Sequence, residues 1–569
     1  MTRPEPIQSQ ALLHTLLLIA LCGVLYFPYL GQVPFFDKGE PREALAVQDI
    51  VQRGEWLFPL KRATAIPSKP PLFHWSAALT YQVTGRLDEA TIRFPSALYA
   101  TLGVLLIYVL GRKLFGAQAG LLAGAVLATT LIYQTQALSA RVDMTLCFFV
   151  TASLVLFYFI YRGFLTNQLW YFVLYALVGI GTLAKGPLGI LLPGLVIASF
   201  LALRRRWDLF AKFCFHPGAV VTLILAVGWY GLAATRGGEG FVDRQILREN
   251  LERFAGGSGH SHPVYFYLPY LFSQGLPWSL FLPLALWDGF KKGFFSDDDR
   301  LFTMLWFLVM FLFFSIAMGK RSVYLLPLYP ALALLTAKWI YDQASAVGGT
   351  LVIYRSIAVF AGVTGFLLLI VTLGALWNHD PGWFFAPIER LLKPKDRANL
   401  LVVKNAIAGF GVIFTAAACL SGVLWLATAH SLWLARARSA ARRLVPISIL
   451  VAFIGWSMIL PAIAESKSYR AFMEEVNRRV EPNDELYLFG GFNSDPVIFY
   501  RGGLIAEIDD FAQAVAGKLG PGKVYIIMAR RSWEKIQRQS HELPPPLLES
   551  AGAGPEGDAP LVLVQVDGL

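Results

Sequence analysis

Three acids stand at the edges of long apolar runs, Asp37, Glu40 and Asp143, and cations stand at similar edges: Arg42, Lys69, Lys185, Arg253, Lys320 and Arg321. Charged side chains beside hydrocarbon are costly unless they are paired or put to use. A carboxylate can activate an acceptor hydroxyl, or hold a metal that does so. Lysine and arginine are the usual ligands of phosphate and gain from an anion where the dielectric is low. The combination suits chemistry on a lipid phosphate whose tail lies between membrane spans while its headgroup meets the cations.

Each group also has a plainer use. Asp37, Glu40 and Arg42 suit the start of an interfacial helix, where acids complement the helix dipole. Asp143, in Ala140-Arg141-Val142-Asp143, suits a helix cap paired with Arg141. Lys185, in Leu183-Ala184-Lys185-Gly186-Pro187, suits a lysine snorkelling between two spans. Asn250 to Phe254 leads through Ala255-Gly256-Gly257-Ser258-Gly259 to His260 and His262, a pair able to bind metal or phosphate but equally a solvated loop. Lys320 and Arg321, followed by Tyr324, lie on the face where membrane proteins carry few basic residues, so a local cause such as bound phosphate is expected there.

The elements that position these groups begin with residues 31–75, the first long polar stretch. Pro41 near its start, Gly54 at its end and Ala44, Val47 and Val51 at helical spacing predict an amphipathic helix lying on the membrane interface. Pro70 and Pro71 prevent helix until Leu72. The chain has 569 residues, 56% of them hydrophobic and 15% charged, with a mean hydropathy of +0.54, which excludes an ordinary soluble protein. A net charge of +11 does not point to nucleic acid, because the basic residues sit in short loops between apolar runs. Cys22, Cys147, Cys214 and Cys419 show no disulfide or metal spacing.

Runs long enough to cross a bilayer fall near 11–30, 97–115, 117–139, 143–161, 169–184, 186–203 and 217–235, then near 267–288, 301–318, 323–340, 353–376, 405–428 and 445–463. These thirteen spans predict a polytopic all-α membrane domain over 1–464, with its first outer loop at 31–95. Arg112 and Lys113, Arg162, Arg204 to Arg206, Lys291 and Lys292, and Arg436 to Arg443 share one face, predicted to be cytoplasmic with the N-terminus. Residues 465–569 then form an outer α/β domain: a helix in SYRAFMEEVNRRV, and strands in ELYLFG, VIFYRG, KVYIIMAR and LVLVQV.

GEPREALAVQDIVQRGEWLFPL, SKPPLFHW, IRFPSALYA, ARVDM, LAKGP, ENLERF with GHSHPVYFYLP, and GKRSVYLLPLYPALALL stand in order over residues 31 to about 335. In these motifs the chain resembles the GT-C membrane glycosyltransferases that include the protein O-mannosyltransferases and the bacterial aminoarabinose transferase of lipid A. The resemblance implies a GT-C fold in the bacterial inner membrane, with the C-terminal domain periplasmic. It also implies inverting transfer of a sugar from a polyprenyl-phosphate carrier to a periplasmic acceptor: lipid A, a glycan or a protein. Asp143 would be an active-site carboxylate, and Lys69 and the basic residues near Lys320 would hold the lipid phosphate. The chain departs from the family where the usual Asp-Glu pair reads Gly39-Glu40, and where Ser68 precedes Lys69. Glu40 is then expected to act as base, with Asp37 the alternative; a divalent metal is possible, its ligands undefined. Arg42, Lys185, Arg253, His260, His262, Arg321 and Tyr324 complete the expected binding set. A lipid-sugar transporter or flippase, and an inactive relative that binds lipid-linked sugar, are the competing readings.

Overall fold

A computed structural model describes residues 6–62, 64–241, 243–245, 262–293, 295, 297–342, 350–378, 382–392, 394–409, 411–481, 483–508, 523–540, 544–552, 554 and 559–566. Helix α1 (Pro6–Leu25) leads to α2 (Glu40–Arg53) and α3 (Leu72–Thr84), which lie outside the bundle. Pro41 sits in the first turn of α2, and Gly54 closes the helix at φ 71°, a left-handed value that costs glycine nothing. Helix α3 starts at Leu72, directly after the two prolines. The bundle continues with α4 (Glu89–Phe115), α5 (Ala117–Ala128), α6 (Leu131–Ala137), α7 (Val142–Tyr161), α8 (Leu169–Lys185) and α9 (Leu188–Leu203). Short α10 (Trp207–Cys214) and α11 (Ala219–Phe241) follow, then α12 (Tyr267–Gln274), α13 (Leu282–Lys292), α14 (Asp298–Ile316) and α15 (Tyr329–Asp342). Helices α16 (Thr350–Asn378), α17 (Gly382–Leu391), α18 (Pro394–Ala408), α19 (Val412–Trp433), α20 (Ala437–Ile454) and α21 (Leu460–Glu465) complete it.

Among the described residues nine helices are long and apolar enough to cross a membrane, ten if α5 and α6 count as one span bent by 63°. The other predicted spans are helical but short or broken. Helices α8 and α9 are one such pair, and the absence of side chains at Gly181 and Gly189 lets them approach closely: a Cβ on Gly189 would lie 2.3 Å from the Gly181 carbonyl carbon. The predicted span at 267–288 is interrupted between α12 and α13, where Leu276 accepts from the Leu131 amide (3.0 Å) and Trp278 Nε1 donates to Thr129 Oγ1 (2.8 Å). One break thus satisfies the polar backbone of the other.

The C-terminal unit comprises α22 (Arg470–Arg479), β1 (Glu485–Phe489), α23 (Asp495–Arg501), β2 (Ala506–Ile508), β3 (Val524–Ala529), α24 (Arg530–Ser540), β4 (Leu548–Glu549) and β5 (Leu561–Val566). The strand order is β2-β1-β3-β5-β4, with β1 parallel to β2 and β3, and β5 antiparallel to β3 and β4. The segment VIFYRG, expected as a strand, belongs to α23. Pro496 in the first turn and Gly502 at φ 77° bound that helix and outweigh its β-branched residues.

The expectation for α2 also changes. Its apolar face meets protein: Ala44, Val47 and Ile50 are buried in one core with Phe73 and Ala77 of α3 and Met473, Val497 and Ile498 of the C-terminal unit. Asp495, at the start of α23, accepts from Lys61 Nζ (3.0 Å) and Arg62 Nη2 (2.6 Å), and Arg62 also reaches Glu507 (2.8 Å). Tyr500 donates its hydroxyl to Glu89 (2.8 Å) and accepts from the Phe35 amide (2.9 Å). These contacts clamp the first loop between the bundle and the sheet.

Candidate functional site

The loop is fixed from below by Arg93, in the second turn of α4 and only 2% exposed. Its guanidinium donates to both carboxylate oxygens of Glu40 (2.8 Å each) and to the carbonyls of Leu30 (2.9 Å) and Val33 (2.5 Å). Glu40 Oε1 accepts a further bond from the Ala140 amide (2.8 Å). Three hydrogen bonds from this chain thus hold the Glu40 carboxylate, and the residue is 4% exposed. That geometry gives Glu40 a structural part in holding the loop to α4.

Asp37 turns the chain into α2. One carboxylate oxygen accepts from the amides of Gly39 (2.7 Å) and Glu40 (2.8 Å), and the other from Arg141 Nη2 (2.6 Å). Burial alone would raise the Asp37 pKa, but the Arg141 charge and the two amides outweigh it and hold the carboxyl below its usual range. Arg141 occupies the volume that a side chain at position 39 would fill: a Cβ there would lie 2.2 Å from Nη2 and 2.4 Å from Cζ. Arg141 thus pairs with Asp37 and not with Asp143 as expected. Arg42 forms its ion pair with Glu43 (2.7 Å), and Glu43 also meets His74 Nε2 (2.9 Å). Burial pushes the Glu43 pKa up, yet Arg42 and His74 prevail and keep it well below the carboxylate range.

Asp143 lies in the first turn of α7 and Lys185 in the last turn of α8. Their ion pair closes at 2.5 Å, with both side chains about nine-tenths buried. Lys185 Nζ also sits 4.4 Å from the centre of the Tyr324 ring, a cation–π contact that shields its charge from solvent. Lys69 and Arg141 lie within electrostatic reach of Asp143. The Ser68–Pro71 segment carrying Lys69 is held by Gln245, whose amide donates to the carbonyls of Pro67 (2.8 Å) and Lys69 (3.2 Å). The structure therefore unites Asp143, Lys185 and Tyr324 with Lys69 nearby, where three helix ends meet.

Lys320 departs from its expected use. It is 2% exposed, and its ammonium donates to the carbonyls of His262 (3.0 Å) and Ala317, which ties the strand of chain before α12 to the turn after α14. The His262 ring stacks on Phe266 at 4.3 Å. Arg321 is half-buried and starts the 3-10 turn that carries Tyr324. Arg253 and His260 lie outside the described residues. Arg93, Arg141, Glu43 and His74 were not among the predicted site residues, although IRFPS, ARVDM and SKPPLFHW contain three of them.

Among the described residues no three His, Cys, Asp or Glu side chains gather as metal ligands, and all four cysteines are free thiols. Asp37, Glu40 and Asp143 each face an ammonium or guanidinium group. That donor set does not fit a divalent cation, since binding one would require displacing the resident cation first.

Fold and site define a multi-span membrane protein: a bundle with short, broken helices that carries a buried acid–lysine pair at its helix ends, beside a clamped polar loop. The family model of dolichyl-phosphate-mannose-protein mannosyltransferases matches residues 68–230. An uncharacterized protein of Aquifex aeolicus is 29% identical over 324 residues, 56% of this chain and 62% of that protein. The undecaprenyl phosphate-alpha-4-amino-4-deoxy-L-arabinose arabinosyl transferase of Pectobacterium atrosepticum is 29% identical over 391 residues, 68% of this chain and 69% of that one. The crystal structure of ArnT from Cupriavidus metallidurans bound to undecaprenyl phosphate superposes with a TM-score of 0.75 at 19% identity, covering 97% of both chains. In sequence the chain is thus similar to the protein O-mannosyltransferases and the aminoarabinose transferases, and it shares the fold of the ArnT structure. It is a multi-pass protein of the bacterial inner membrane.

Proposed function

We propose that this enzyme transfers a sugar from a polyprenyl-phosphate donor to a lipid acceptor at the periplasmic face, with inversion at the anomeric carbon. The observation that carries the reading is the buried Asp143–Lys185 pair under Tyr324, with Lys69 and Arg141 beside it. In the reaction the acceptor oxygen bonds to the anomeric carbon as the bond from that carbon to the lipid phosphate breaks. The electron pair leaves with the phosphate, whose charge grows in the transition state. Lys69, Lys185 and Arg321 supply positive potential for that charge without reorganising, and Asp143 receives the acceptor proton or orients the attacking oxygen. Asp37 and Arg141 set the electrostatics at the mouth. Glu40 and Arg93 hold the loop, and Arg42 with Glu43 and His74 holds α2 against α3. Arg253, His260 and His262 are assigned to the donor-binding set.

The N-terminus is cytoplasmic, and residues 465–569 form a periplasmic unit that helps to shape the acceptor side. Lipid A is the first acceptor to test and the aminoarabinose carrier the first donor, because relatives are named for that sugar. Purified enzyme in lipid vesicles is supplied with a panel of short polyprenyl-phosphate sugars and lipid A. Mass spectrometry follows free polyprenyl phosphate, and NMR reads the anomeric configuration of the product. One donor consumed with inversion supports the proposal. Retention of configuration, or movement of intact donor across the vesicle without bond cleavage, refutes it.

A further inference from the structure

The face opposite the Asp143 site carries a second built feature. A groove of about 530 Å³ opens between α5, α15 and α20. Leu121, Leu122, Ala125, Ile340 and Val445 form its wall, and Arg438 and Arg442, one turn apart on α20, stand at its mouth. Arg438 is held in place: its guanidinium donates to the Tyr341 carbonyl and lies 4.8 Å from the centre of the Tyr341 ring. Arg442 is exposed beside it. Neither arginine faces an acid in an ion pair among the described residues. Acyl chains suit the wall, and two guanidinium groups at headgroup height suit a phosphodiester.

We infer that this groove binds an anionic phospholipid of the cytoplasmic leaflet, acyl chains against α5 and α15 and phosphate between Arg438 and Arg442. Charge complementarity selects the occupant. A zwitterionic lipid offers the same chains but carries a cation that the arginines repel, and a polyprenyl phosphate consumed at the outer face has its headgroup on the wrong side. The bound lipid bridges α5, α15 and α20, three helices that surround the core below the active site.

The test is native mass spectrometry of the full-length protein titrated with phosphatidylglycerol or phosphatidylethanolamine. Wild type is expected to retain phosphatidylglycerol in preference, and Arg438→Gln/Arg442→Gln to lose roughly 10- to 30-fold in affinity for it, the equivalent of two near-surface charges. A second variant, Ala125→Trp, fills the groove and keeps both arginines; it is expected to lose the same adduct, which separates groove binding from diffuse attraction. Equal retention of both lipids by wild type, or undiminished phosphatidylglycerol binding in both variants, overturns the inference.

Discussion

Replacing Glu40 with glutamine separates a structural carboxylate from a catalytic one. The substitution keeps shape but removes the charge that faces Arg93, which is 2% exposed and makes two of its four hydrogen bonds to Glu40. One acceptor oxygen becomes an NH2 group aimed at a guanidinium. Stranding a buried charge in this way costs about 3–5 kcal/mol, or roughly two to four powers of ten in the local folding equilibrium. Trp56 and Trp75 pack against the same core and report its unfolding by fluorescence in a denaturant titration. The expected outcome is early loss of the outer-loop structure, while the remaining folded fraction turns over donor within a few-fold of wild type. The double variant Glu40→Gln/Arg93→Gln should recover about 1–3 kcal/mol relative to the sum of the single changes. Wild-type stability with turnover abolished would refute the reasoning and make Glu40 the base.

Gly39→Ala should force Arg141 away from Asp37, because the new Cβ meets the guanidinium at 2.2 Å. The pair is about a quarter exposed on each side, so stability should fall by only about 1 kcal/mol. If Arg141 sets the electrostatics at the mouth as proposed, turnover should drop tenfold or more; unchanged kcat/KM would contradict this. Asp495→Asn should loosen the clamp by about 1.5–3 kcal/mol, since it weakens charged hydrogen bonds from Lys61 and Arg62. Hydrogen exchange should then quicken in β1 and α2 together, and an unchanged exchange pattern would show that the apolar core alone docks the C-terminal unit. The acid limb of stability follows from Asp37 and Glu43, both held below their ordinary range. Their contribution is complete above about pH 4.5, the upper end of ordinary unfolded carboxylate values, and is lost as pH falls through the lowered folded values. Outer-loop melting should be flat from neutral pH to about 5 and decline below 4; a decline already at pH 6 would point to another group.

Local signals made part of this architecture legible. Pro41 and Gly54 bracket α2 in the sequence as they do in the structure, and Pro70-Pro71 marks the start of α3. The runs KVYIIMAR and LVLVQV become adjacent strands β3 and β5. Where two local signals compete, the helix boundaries prevail: VIFYRG has strand composition, but Asp495-Pro496 and Gly502 bound a helix. Long-range pairing was the larger obstacle. Glu40 reaches Arg93 across 53 residues and Asp143 reaches Lys185 across 42. Arg93 sits in a polar helix start beside Asp88 and Glu89 and resembles an ordinary interfacial charge. Asp143 and Lys185 were each recognisable as odd, but nothing in their spacing indicated that they face one another. Arg141 was recognised only as a neighbour of Asp143, whereas the fold turns it toward the empty space at Gly39.

Sugar transfer is proposed to take place at Asp143 and Lys185. Single-turnover consumption of the donor by Asp143→Asn tests it most directly, with folding verified by the same tryptophan signal and donor binding measured separately. The rate is expected to fall by roughly 10²- to 10³-fold with the donor still bound, equivalent to about 2.7–4 kcal/mol of transition-state stabilisation. A wild-type rate in folded Asp143→Asn protein would contradict it and move the chemistry away from the start of α7.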